Sequence, residues 1–338
     1  MPPVAALRIS RERRGSAVHQ LKRMGLIDPG FRIAEEGEWV MIPLTGVPDA
    51  LPPGGELVDA AQFSKRGAGM PISSIRKAAA LTDMEKSLLP SKWEMIGKAL
   101  LLKLDESLTS REGEIGRAYA SVLGADSVYR VTGRIGGRNR RPSVRLICGS
   151  GGETIHHENG VDYVIDPAKI MFSSANHDER IRMASLDCNG ELVADMFAGI
   201  GHLSMPIAVH SSPRLIAAAE IDPLTHAYLL KTVHANGADS FFQAHNMDSM
   251  DLRLEGCDRI IMGYLDGTRR WLGKALTMSR PGTIIHFHEE VRRGGSDEWR
   301  RLIAEKYCSG RVKVIAVRRV KGFSAISDHM AMDLEVLE

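Results

Sequence analysis

The 338-residue chain is poor in cysteine, and Cys148, Cys188, Cys257 and Cys308 stand far apart with no CxxC pair. That spacing suggests neither a disulfide framework nor a zinc knuckle, and it fits a reducing, cytosolic setting. Nowhere do about 18 uncharged apolar residues run together, so no membrane-spanning helix is expected. The opening MPPVAALRISRERR lacks a charged segment ahead of a long apolar core, which argues against an export leader. Net charge is also scarce, at +2, so any nucleic acid must be met by a local patch. No internal repeat is found. What remains, 43% hydrophobic against 25% charged residues, describes an ordinary globular protein with room for two or three domains.

Hydrophobic periodicity and turn residues divide the chain into four stretches. Residues 1–48 read as a small α/β unit: a strand, a basic helix over 11–24, a turn at Asp28-Pro29-Gly30 and a strand ending in WVMIPL. Residues 49–90 are rich in Pro and Gly (DALPPGGE, SKRGAGMP) and read as a linker with some local helix. A second α/β unit, 91–172, opens at WEMIGKALLLKL, carries a helix near 110–123 and ends in the strand-like SVRLICG and VDYVIDPAKIMF. From 173 to 338 strands alternate with helices of 10 to 15 residues and close on RVKVIAVRRV and HMAMDLEVL. This predicts a Rossmann-like, doubly wound parallel sheet with an antiparallel pair at one edge.

In such a sheet a ligand sits beyond the carboxyl ends of the strands. After the first strand comes Ala198-Gly199-Ile200-Gly201-His202-Leu203, but the third glycine of a dinucleotide fingerprint is missing, and Ser204 and Pro206 follow instead. Glu220, about 20 residues on, can accept both ribose hydroxyls, and Asn246-Met247-Asp248-Ser249 ends the third strand where a carboxylate can meet an adenine amino group. With Asp195 ending the first strand, the pattern favours S-adenosylmethionine over a dinucleotide. Each residue alone could also be a tight turn or a loop-facing charge.

HHENGVDYVIDPAKIMFSSANHDERIRMA followed by VADMFAGIGHLSMPIA resembles two related groups of tRNA enzymes. These are the guanosine N1-methyltransferases and the wybutosine-synthesising aminocarboxypropyltransferases, which modify the purine beside the anticodon. ALRISRERRGSAVHQLKRMGLIDPGFRI and WEMIGKALLLKL are similar to the first and second domains of that family, so the likeness covers nearly the whole chain. The methyltransferases carry Asn-Leu-Pro or Asn-Pro-Pro after the fourth strand. Here the chain reads Met262-Gly263-Tyr264, which with KIMFSSAN resembles the archaeal aminocarboxypropyltransferases.

The resemblance implies a class I S-adenosylmethionine-dependent transferase domain behind two smaller α/β domains. It implies that Ser173, Arg180, Glu220, Asp248 and Ser249 contact the cofactor. The implied reaction moves the 3-amino-3-carboxypropyl arm to the 4-demethylwyosine precursor in tRNA-Phe and releases methylthioadenosine. The alternative is N1-methylation of guanosine at the same position, and a non-catalytic RNA-binding protein is a third reading.

Arg180 suits a bidentate grip on the arm's carboxylate, or else pairs with Asp178 or Glu179 on a helix surface. Glu179, beside it, is the candidate base for the departing proton. For RNA, Arg130, Arg134, Arg138, Arg140, Arg141 and Arg145 fall in an acid-free, glycine-broken stretch, and Arg8, Arg11, Arg13, Arg14, Lys22 and Arg23 form a second basic element. His286-x-His288-Glu289 and His156-His157-Glu158 have the residue types of a metal site but no further ligand cluster, so no metal is expected. A cytoplasmic monomer without membrane attachment is the expected setting.

Overall fold

A computed structural model describes residues 5–31, 33–59, 63, 71–133 and 141–337, the side chain of Arg23 excepted. The chain divides into two units, Met1–Phe172 and Ser173–Glu338.

In the first unit, Ala5–Ser10 lies between Trp39–Leu44 and Glu56–Val58 in a four-stranded sheet whose outer strand is Ala34–Glu36. The helix Arg14–Arg23 turns Ala17 and Leu21 onto Leu7, Ile9, Val40 and Ile42 to make a small core. The strand Glu56–Val58 falls within the stretch expected to be a linker, where it pairs with Ala6, Leu7 and Arg8. A second four-stranded sheet runs Glu94–Ile96, Ala99–Leu102, Ser127–Val131, Val144–Gly149. The helix Glu112–Leu123 covers it through Ile115 and Tyr119 and ends on Gly124, whose φ of 69° suits a residue without Cβ. Helix Pro71–Ala78 adds Ile72 and Ile75 to the same core. A hairpin of Thr154–Glu158 and Val161–Ile165 completes the unit.

The second unit contains helix α1 (His177–Ala184) and seven strands: β1 (Leu192–Asp195), β2 (Leu215–Ala219), β3 (Phe242–His245), β4 (Cys257–Met262), β5 (Ser279–Arg292), β6 (Val312–Gly322) and β7 (Ser327–Val336). Their order is β3-β2-β1-β4-β5-β7-β6, parallel from β3 to β5. β7 runs antiparallel to both neighbours. The central strands are apolar runs but for Asp195 at the end of β1, as strands covered on both faces require. This is the doubly wound sheet the alternation predicted, with one refinement: β7 inserts between β5 and β6. The helix α2 (Ser204–His210) follows the glycine loop. The helix α3 (Pro223–Ala235) starts on Asp222, whose carboxylate accepts from Thr225 N at 2.8 Å, with proline at its first turn. After helix Ser296–Arg301 the chain passes into a π-helical stretch, Leu302–Tyr307, that periodicity did not distinguish from α-helix.

Candidate active site

The loop after β1 has its shape because two glycines adopt left-handed backbone. Gly199 has φ 59° and Gly201 φ 87°, and a Cβ on Gly201 would stand 2.4 Å from Met205 Cγ. The loop is tied to the end of β2: Gly199 N donates to Glu220 Oε2 at 2.9 Å, while Asp222 N donates to Oε1 at 2.8 Å. Each carboxylate oxygen of Glu220 keeps acceptor capacity beyond these bonds. Burial pushes the Glu220 carboxyl up to about 6, and burial likewise lifts Asp195, at the end of β1, to about 6. Beyond β3, Asn246 Nδ2 donates to the Glu220 carbonyl at 2.8 Å, fixing the Asn246 to Ser249 turn against β2. Asp248 accepts from Met250 N at 3.0 Å, and the Ser249 hydroxyl is buried without a hydrogen-bond partner among the described residues. Glu220, Asp248 and Ser249 therefore gather with the glycine loop at one end of the sheet.

At the far side of the same end stand Ser173 and Arg180. Arg180, 1% exposed, donates to the Ser173 carbonyl at 3.0 Å. Lys321, near the end of β6, donates to the Ser173 hydroxyl at 2.6 Å. Sequence reasoning missed Lys321: it sits in an edge strand 148 positions away, and no local motif marks it. An ammonium and a planar guanidinium meeting at one residue suit a carboxylate.

Glu179 stands elsewhere in the design. It is 4% exposed, and Arg182 grips both of its oxygens, at 2.7 and 3.1 Å. His288 Nε2 and Arg318 Nε approach it at 3.4 Å each. With its lone pairs so surrounded, this carboxylate has the geometry of an anchor for α1, and the base role expected from sequence finds no support in it. Beneath α1 a buried polar layer continues along the sheet. Arg259, held by Glu191 at 2.7 Å, donates to His286 Nε2 at 2.8 Å. A guanidinium only donates, so the His286 proton sits on Nδ1, facing Asp333 Oδ1 at 2.6 Å. Burial lowers His286. Burial alone would raise Asp333, yet hydrogen bonds from His286 and Arg318 hold it far below the usual carboxylate range. His288 shares a 2.9 Å hydrogen bond with His329, and Glu289 binds Arg269 and Trp299 Nε1. The His-x-His-Glu motif is thus spent on packing partners, and among the described residues no group of three His, Cys, Asp or Glu side chains can hold a metal ion.

Three aromatic side chains cluster beyond β1 and β4. Phe197 stacks on Tyr264 at 5.4 Å, and Trp271 meets both edge-on at 5.3 and 6.0 Å. Met262 is fully buried in the core of the unit.

The basic elements fare unevenly. Arg130, expected in the RNA-binding stretch, is buried and donates to Thr109 Oγ1 at 2.7 Å and Glu112 at 3.3 Å, so it is removed from that group. Arg145 also pairs with Glu112, at 2.7 Å. Arg141 donates to the Lys169 carbonyl, and Arg134, Arg138 and Arg140 lie outside the described residues. In the N-terminal element Arg8 pairs with Glu56, and Arg11 and Arg14 both pair with Glu35. All four cysteines are unpaired, and no helix among the described residues is long and apolar enough to cross a membrane.

Comparison with known proteins places this arrangement. The TRM5/TYW2 methyltransferase domain family matches residues 154–313 and the TYW2 N-terminal domain family residues 77–152. A tRNA(Phe) (4-demethylwyosine(37)-C(7)) aminocarboxypropyltransferase from Pyrococcus horikoshii is 46% identical over 205 residues, spanning 60% of this chain and 73% of that protein. The crystal structure of P. horikoshii TYW2 in complex with MeSAdo superposes with a TM-score of 0.71 at 36% identity, over 79% of this chain and 99% of that one. Trm5b from Pyrococcus abyssi superposes with a TM-score of 0.69 at 26% identity, over 99% of both chains. The chain belongs to the TRM5/TYW2 family, and within it to the TYW2 aminocarboxypropyltransferases.

Proposed function

We propose that this chain transfers the 3-amino-3-carboxypropyl arm of S-adenosylmethionine to C7 of 4-demethylwyosine beside the anticodon of tRNA-Phe. The observation that carries the reading is the convergence of Lys321 and Arg180 on Ser173, at the same end of the sheet as Glu220. The adenosine portion fits the other half of the site: Glu220 accepts the ribose hydroxyls, and Asp248 and Ser249 receive the base, beside a loop whose Gly201 must lack a Cβ to pack against Met205 and Leu229. The orphaned Ser249 hydroxyl is a polar atom that a bound nucleoside satisfies.

The sulfonium supplies a carbon open to attack and a neutral thioether as leaving group. Which of its three activated carbons reacts is decided by orientation, since bringing one carbon to about 3 to 3.5 Å of the nucleophile in line with sulfur favours it over the others. Ser173, Arg180 and Lys321 orient the arm by its carboxylate, so that its γ-carbon faces the RNA. The new bond joins that carbon to C7 of the base, the carbon–sulfur bond breaks, and methylthioadenosine leaves. The proton lost from C7 passes to solvent, so no side-chain nucleophile is needed and Glu179 is left to hold α1. Tyr264, stacked on Phe197, presents an aromatic face to the incoming tricyclic base.

Incubation of the protein with tRNA and S-adenosylmethionine labelled either in the methyl or in the carboxyl carbon tests the reading. Carboxyl label in RNA, with methylthioadenosine as by-product, is the expected result. Methyl label alone, with S-adenosylhomocysteine, would assign the chain to guanosine N1-methylation instead.

A further inference from the structure

The turn joining β6 to β7, residues 323–326, is built firmly yet keeps two large apolar side chains in water. Phe323 is 43% exposed and Ile326 72%. The backbone beneath them is well tied: Phe323 N and Ser324 N both donate to the Ser327 carbonyl at 3.1 Å, and Arg293 N donates to the Ile326 carbonyl at 3.0 Å. Arg293 Nη2 adds a bond to the Ser324 carbonyl at 3.1 Å. A turn so braced does not fold its apolar side chains back onto the sheet.

Its position follows from register. Ser327 pairs with Arg292 at the end of β5, so the turn projects past the carboxyl end of the parallel strands, the end that carries the glycine loop and Glu220. Two residues before Phe323, Lys321 reaches Ser173. The turn is therefore continuous with the arm-binding group. Cations outnumber acids around it: Arg293 and Arg319 share the carboxylate of Asp328, at 3.3 and 3.0 Å, the exposed Arg292 stands beside them, and Ser327 Oγ donates to the carboxylate of Glu290.

We propose that this turn is a docking platform for a nucleobase of the substrate RNA adjoining the modified purine, with Phe323 stacking on the base and Ile326 packing beside it. The inference rests on the tRNA reading above and adds a contact that the reading does not require. An exposed aromatic flanked by arginines is the arrangement single-stranded RNA uses, because every base offers a stacking face and the adjoining phosphates need cations. The excess of guanidiniums at the turn and its continuity with the Lys321–Ser173 contact favour a nucleobase with its phosphates over a second protein surface.

The test uses the full chain and an anticodon stem-loop carrying 2-aminopurine next to the target purine. Binding of the wild-type protein is expected to change the 2-aminopurine emission. Phe323→Ala is expected to weaken binding about tenfold and abolish the emission change. Phe323→Tyr should restore both, and S-adenosylmethionine affinity by calorimetry should be the same in all three proteins. Equal binding and equal emission change in wild type and Phe323→Ala would overturn the platform while leaving the tRNA reading intact. A wild-type protein that does not bind the stem-loop overturns both. Self-association of the wild type, lost in Phe323→Ala with RNA affinity unchanged, would give the surface to a second copy of the chain and overturn the proposal.

Discussion

Lys321 donates to the Ser173 hydroxyl at 2.6 Å, joining the edge strand β6 to the segment that leads into α1. Arg180 reaches the carbonyl of the same serine. A carboxylate bound there replaces part of the hydration of both cations with charge-assisted hydrogen bonds. Lys321→Met is expected to weaken S-adenosylmethionine binding about tenfold, within the range of a hydrogen bond to a charged group. Methylthioadenosine, which lacks the amino-acid arm, should bind the variant as it binds the wild type. Calorimetry with the two ligands makes the comparison, and equal losses for both would remove Lys321 from the arm.

Glu179 separates an anchor from a base. Removing one partner of a buried ion pair costs about 3 to 5 kcal/mol because the remaining charge is left uncompensated, and Glu179 faces Arg182, Arg318 and His288. Glu179→Gln should lower the thermal midpoint by several degrees, while the single-turnover rate at a temperature where the variant is folded keeps the wild-type pH profile. A variant of unchanged stability whose rate loses one ionisation from that profile would restore Glu179 as the base.

Glu220 and Asp195 make stability depend on pH, and on the proposed reading Glu220 makes ligand binding depend on it too. Both are raised by burial, from 4.5 and 3.8 to about 6. A folded-state value above the unfolded one means that the ligand-free fold takes up protons on acidification. These two groups thus favour the fold below about 4 and lose that contribution as pH rises through about 6. On the proposed reading cofactor binding has the opposite sign, since a carboxylate accepts ribose hydroxyls best as an anion. Affinity for S-adenosylmethionine should therefore fall as pH drops from 7.5 to 5.5, and Glu220→Gln should bind weakly with a flatter profile. A wild-type affinity that stays level across this interval would contradict the assignment.

Asp333 gives an acid limb of the other kind. Its value is depressed by His286 and Arg318, so the stability it contributes is present above the ordinary value of 3.8 and lost only as pH falls below it. Asp333→Asn should unfold more readily at neutral pH and show a shallower loss of stability below pH 3.8 than the wild type, as followed by circular dichroism. Parallel acid-unfolding curves for the two proteins would show that Asp333 does not carry the limb.

Arg130 tests the division of the basic residues. Its guanidinium is buried against Thr109 and Glu112, so Arg130→Ala should lower thermal stability and leave the salt dependence of tRNA binding unchanged. A shallower slope of log affinity against log salt would mean that Arg130 neutralises a phosphate after all.

Much of the catalytic unit was legible because its signals are local. A left-handed turn needs glycine, hence Gly199 and Gly201; a parallel strand buried on both faces is apolar, hence LVA and LIAAA; and a ligand of such a sheet sits beyond the strands' carboxyl ends, which is why Glu220 and Asp248 were singled out. Arg180 was singled out by resemblance, and its neighbour Glu179 was given a chemical role because adjacency in sequence was the only geometry at hand. In the helix the two residues point to different partners, Ser173 for one and Arg182 for the other.

The sequence by itself determined the alternation of strands and helices, the glycine loop and the acidic residues that follow the first strands of the sheet, because each depends on residues within a turn or two of one another. Tertiary structure alone decided that β7 enters between β5 and β6, that Lys321 meets Ser173, that Arg130 is buried, and that the histidines of β5 serve α1 and β7. Such contacts depend on strand order and register. Hydrophobic periodicity specifies which face of a strand is buried, but it carries no information about which strand lies beside it.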